Sequence, residues 1–147
     1  MSGVTLPTGA VWGIAGAVAM VVVMQARGGE APPPFAVFWA EFVGDGDPDA
    51  AMPQALVLHL VYAAGAGAVF AAVFSSFDLG LPITGFAGGI VWGLVWAAVL
   101  FVVGAVGWVN GVLGMDPERE QVLTFALAHL AYGVSIGVLG AAVPHLV

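Results

Sequence analysis

Charge is confined to so few positions that four stretches of this chain, residues 1–26, 50–77, 79–115 and 121–147, contain no Asp, Glu, Lys or Arg. Each exceeds the roughly 20 residues that an α-helix needs to cross about 30 Å of hydrocarbon. A soluble domain carries charge on about a quarter of its residues. Here 7% are charged and 61% are hydrophobic. The pattern predicts an integral membrane protein, a single all-α transmembrane domain covering residues 1–147.

Helix-stop residues divide the chain into four spans. The first, about 8–26, ends at Gly28-Gly29 ahead of Pro32-Pro33-Pro34, a run that cannot continue a helix. The second, about 53–76, has Pro53 in its first turn and Asp78-Leu79-Gly80 at its exit. The third, about 83–109, opens after Pro82 and closes near Asn110-Gly111. The fourth, about 118–142, opens after Asp116-Pro117 and closes before Pro144. Although 79–115 is long, its glycines and Asn110 predict one tilted helix plus a turn rather than two crossings. Acidic residues at the start of the fourth span complement the positive end of its dipole.

The same scarcity of charge narrows the function. With no cysteine, the chain cannot form disulfides, thiolate metal sites, iron–sulfur clusters or covalently attached c-type haem. Arg27 and Arg119 are its only Arg or Lys residues. The chain therefore lacks the clustered cations that nucleic-acid or polybasic lipid binding requires. Its net charge of −7 sits in loops, on Glu30, Glu41, Asp45, Asp47, Asp49, Asp116, Glu118 and Glu120 among others. Acid-rich, lysine-free loops point to a halophilic protein. Met1–Thr8 has no cationic segment, so the first span reads as retained rather than as a cleaved signal. In a four-span chain both arginines fall on one side. The positive-inside rule then puts loops 27–52 and 110–119 in the cytoplasm and both termini outside.

Loop 30–52 contains a segment of its own. Phe35–Val43 is too short to cross but rich in aromatics, which predicts a short interfacial helix over about 35–43, or alternatively a protein contact surface. Asp45, Asp47 and Asp49 match the first three ligand positions of a calcium loop. Ala50 stands where the turn glycine belongs and Leu56 where the bidentate Glu belongs, so a solvated acidic turn is expected instead.

One helical hairpin reads as present twice. The first span carries Thr8-Gly9, Gly13 and Ala17; the third carries Thr84-Gly85, Gly89, Gly93 and Ala97. The second carries His59-Leu60-Val61-Tyr62 and the fourth His129-Leu130-Ala131-Tyr132, each followed by small residues, Gly133 and Gly137 among them. Two helices per half make these parallel repeats related by an axis along the membrane normal. Lipid tails are as apolar as leucine, so membrane helices associate through close backbone approach. Small residues at every fourth position permit it. Gly9, Gly13, Gly85, Gly89, Gly93, Gly133 and Gly137 are the expected packing positions. An outward-facing stripe that mediates a homo-oligomer, or docks onto a larger complex, is the alternative.

His59, Tyr62, His129 and Tyr132 are the chemically distinctive groups within the spans. An ionisable residue in hydrocarbon is costly and so marks a candidate site. At i and i+3, each His and Tyr share a helix face. Spans two and four are diagonal in an up-down-up-down bundle, so both faces can meet near its axis. Three readings compete: hydrogen bonds that fix helix register, axial ligation of a b-type haem by His59 and His129, and a proton or small-solute path. The spans contain no Asp, Glu, Lys or Arg beside the histidines, which weakens the path. His145 reads as interfacial, as do Trp12 and Trp108, whereas Trp92 and Trp96 lie deeper. Neither a nucleotide loop nor a nucleophile–base set is present, and no metal site or catalytic residue is expected.

The small-residue-rich first helix with Met20 and Met24 near its end, and the HLxYGxxxG-like segments, resemble small YagU-like four-helix membrane proteins and relatives from salt-loving archaea. His129-Leu130-Ala131-Tyr132-Gly133 with Gly137 matches best; His59–Tyr62 departs, with Ala63 in place of glycine. The resemblance implies a multi-pass membrane protein and supplies no reaction or catalytic residue. The expected role is that of a non-enzymatic accessory or scaffold protein in the lipid bilayer, as a homo-oligomer or a subunit of a larger assembly. A small b-type cytochrome and a transport or proton-handling protein are the alternatives.

Overall fold

A computed structural model describes residues 5–28, 32–44, 46–76 and 85–142 of the chain. These form α1 (Leu6–Arg27), α2 (Pro34–Phe42), α3 (Met52–Ser76), α4 (Gly85–Val102) and α5 (Arg119–Ala142); no strand occurs among them. A π-helical stretch, Val103–Val112, prolongs α4 without a break. α1, α3, α5 and α4 with its extension are each long and apolar enough to cross a membrane. The 22 residues of α1 reach about 33 Å. The protein is an all-α, multi-pass four-helix bundle. Pro82–Thr84, Asp78-Leu79-Gly80, Glu30, Asp45 and His145 lie outside the described residues.

Local chemistry explains the helix ends. Thr5 caps α1, its hydroxyl accepting from the Thr8 N–H at 3.4 Å, with Pro7 in the first turn, where no donor is needed. Gly28 closes α1 in the left-handed conformation at φ 63, where its N–H donates to the Gln25 carbonyl. At the start of α5 the Gln121 side chain reaches back to accept from the Glu118 N–H at 2.8 Å. α4 and its extension close at Val112, beside the expected Asn110-Gly111, with Gly114 at φ 60 making the exit; the last turns are wide π turns.

Two glycine seams organise the bundle. α1 packs against α3 and α5, and α5 against α1 and α4, while the α3 and α4 backbones scarcely approach. α1 and α5 are therefore the inner pair, with α3 and α4 on the flanks. In the α1–α3 seam, a methyl group added at Gly13 would run into the Ala63 carbonyl, and one at Gly9 would lie 2.5 Å from the Gly67 oxygen. In the α4–α5 seam, one at Gly93 would run into the Gly133 carbonyl, and one at Gly89 would lie 2.5 Å from the Gly137 oxygen. Both seams use carbonyls set against glycine Cα groups, an approach that any side chain would block.

In these contacts Gly9 plays the part of Gly89, and Gly13 that of Gly93. Gly85 is not a seam residue: it stands at φ 69 with open space around it, so its glycine character serves the backbone turn into α4.

Between the seams lies a core of Trp12, Met20, Phe70, Leu100, Tyr132 and Ile136 with small alanines. Trp12, expected at an interface, is 4% exposed within this core. Gly140 makes the room, its missing side chain facing the indole at 3.5 Å. On the flank where α3 and α4 stand apart, the gap is bridged by rings, with Phe70 and Trp96 centroids 6.3 Å apart.

Candidate functional site

The two His-Tyr segments converge, as the diagonal placement of α3 and α5 requires. Tyr132 of the second segment reaches the carbonyl of Ala63, the residue after Tyr62 in the first. Their surroundings differ sharply.

Tyr132 is 1% exposed and ties the halves together. Its ring lies across Gly16 of α1, where an added methyl would come within 2.6 Å of Cδ2. Its hydroxyl donates to the Ala63 carbonyl of α3 at 3.1 Å. One side chain from α5 thus passes α1 and reaches α3. His129, also buried, donates from Nδ1 to the Phe125 carbonyl one turn earlier at 2.8 Å, which fixes its tautomer and ring plane. The Phe125 ring lies tilted against it, with centroids 4.3 Å apart and the planes at 59°, and Phe101 meets it edge-on at 6.0 Å. Gly104 lies on the same side, its missing side chain 3.8 Å from His129 Nε2.

His59 and Tyr62 are covered by α2 rather than by the bundle. Phe35 sits 5.7 Å from His59, 5.8 Å from Tyr62 and 5.9 Å from Trp108, centroid to centroid. Phe38 packs on Trp108 at 4.8 Å. Tyr62 remains 41% exposed. His59 Nε2, Trp108 Nε1 and Trp96 Nε1 are buried with no hydrogen-bond partner among the described residues. Phe35 and Trp108 were missed as site residues in the sequence. The available signal was the aromatic richness of 35–43, which specifies interfacial depth but not which ring it covers.

The side of the bundle that carries the long loops opens into a cavity of about 920 Å³. Arg27, Asp49, Glu118, Glu120 and Gln121 stand around it, and Phe125, which covers His129, is part of its lining. Neither His59 nor His129 lines it. In the acidic turn the Asp49 N–H donates to Asp47 Oδ1 at 3.0 Å, so this carboxylate closes its own turn. No group of three His, Asp or Glu positioned for a metal occurs among the described residues. Comparison with protein-family profiles, curated protein sequences and solved structures returns no match to this chain.

Proposed function

We propose that the protein is a non-enzymatic accessory or scaffold component of the membrane, acting as a homo-oligomer or a subunit of a larger assembly. The supporting observation is the closed interior. Away from the loops, Tyr132 and Ile136 are fully buried, and Trp12 and Phe70 fill the remaining section between two glycine seams. The loop-side cavity therefore leads into packed side chains rather than onward through the bundle, which favours a structural partner over a conduit. Purified in mild detergent, the protein should self-associate or retain a partner, and liposomes containing it should hold a pH gradient as well as empty ones. A monomer that dissipates the gradient would overturn the proposal.

A second reading, a b-type cytochrome, draws support from one detail. The Nδ1–H bond from His129 to the Phe125 carbonyl is the kind that orients an imidazole for ligation through Nε2. His59 Nε2, without a partner, would be the opposite ligand. The cavity contains neither residue, and a macrocycle between them would have to part α5 from α3, across which the Tyr132–Ala63 bond runs, so this reading ranks below the first. Soret and α bands in the reduced protein, expressed with ample haem, would reverse that order.

A further inference from the structure

Two of the three unpartnered buried side-chain polar atoms among the described residues, His59 Nε2 and Trp108 Nε1, belong to rings that flank the same phenyl group. A buried donor left unpaired in a membrane has no water to fall back on, so each such group calls for an explanation. Tyr62, the third ring against Phe35, has no hydrogen bond among the described residues either. Phe35 thus sits among three rings whose polar groups it cannot satisfy.

The plug is carried by a short element. α2 is nine residues long and packs against α3 alone to any extent. Its rings, Phe35 and Phe38, make the contacts with Trp108. Pro32 and Pro33 precede it, and Gly44 and Gly46, the latter at φ 88, follow it. α2 takes no part in either glycine seam.

We infer that the space held by Phe35 is a binding site for the headgroup of a lipid-soluble quinone. A flat ring is needed to take the place of a phenyl group among His59, Tyr62 and Trp108. Oxygen acceptors on its opposite edges are needed because an indole N–H can only donate, while imidazole Nε2 can donate to a carbonyl or accept from the hydroxyl of the reduced form. The α3–α4 flank, where backbone contact is scarce and rings meet instead, is the side along which an apolar tail would lie.

The test uses the full chain in nanodiscs, titrated with a benzoquinone bearing a decyl tail and followed by quenching of tryptophan fluorescence. Quenching should saturate. His59→Leu should weaken binding by about tenfold, the equivalent of one lost hydrogen bond. Phe35→Ala should tighten it, because the displaced ring is gone, and a folding defect would not produce that sign. Decylbenzene, with the same tail and no carbonyls, should not compete. Quenching that rises linearly with bilayer quinone and is equal in all three proteins would overturn the inference. Displacement of the quinone by decylbenzene at equal concentration would do the same, leaving only an apolar groove. Neither result bears on self-association or partner retention.

Discussion

Gly93→Leu should leave no folded bundle in mild detergent. The first carbon of the new side chain would run into the Gly133 carbonyl and lie 2.9 Å from Gly137 Cα, and backbone, unlike a flexible side chain, cannot step aside. Gly93→Ala alone should cost about 1–3 kcal/mol or more, the range for overpacking a close-fitted interior. Gly89→Leu meets the Gly137 oxygen at 2.5 Å and should behave alike. Gly65 provides the control. It lies within α3 with nothing inside 4 Å of an added methyl. Gly65→Ala should therefore be neutral or gain up to about 1 kcal/mol from helix propensity. Thermal melts by circular dichroism would separate the two classes. A Gly93→Leu protein that melts with the native one would place the seam elsewhere.

The second large effect belongs to Tyr132. Truncation to alanine should cost about 3–5 kcal/mol, as for other large buried aromatics, because the ring fills the junction of α1, α3 and α5. Tyr132→Phe, which loses only the bond to Ala63, should cost about 1 kcal/mol, the usual size of a hydrogen bond between membrane helices. Tyr62→Phe should leave stability nearly unchanged, since that phenol is 41% exposed and unbonded among the described residues. Equal losses for Tyr132→Phe and Tyr62→Phe in the same melts would mean that Tyr132 is not the tie between halves.

The crossings are legible in the sequence because hydrocarbon thickness dictates a minimum uncharged length, and few other folds satisfy it. The seams are nearly legible, since small residues at every fourth position can serve little else. Their register was not: Gly85, Gly89 and Gly93 are equivalent in spacing, and only the partner helix selects which two make contact. α4 conceals its π stretch for a related reason, being apolar on every side, so no polar face marks the change in winding. The His-Tyr segments are legible as a pair, but two near-identical tetrapeptides acquire unlike surroundings. His129 takes its neighbours from its own helix and from α4; His59 takes Phe35 from α2, which only the first half possesses. Such a difference lies in tertiary placement rather than in spacing.

The unequal sharing of neighbours has a consequence for assembly at the ribosome. α1 and α3 can seal their seam as soon as both have been inserted. α4, emerging next, has scarcely any backbone to rest on, because its companion, α5, is made after it. A chain interrupted before Arg119 would present the insertion machinery with a finished pair and a solitary third helix, a species suited to quality control by membrane proteases.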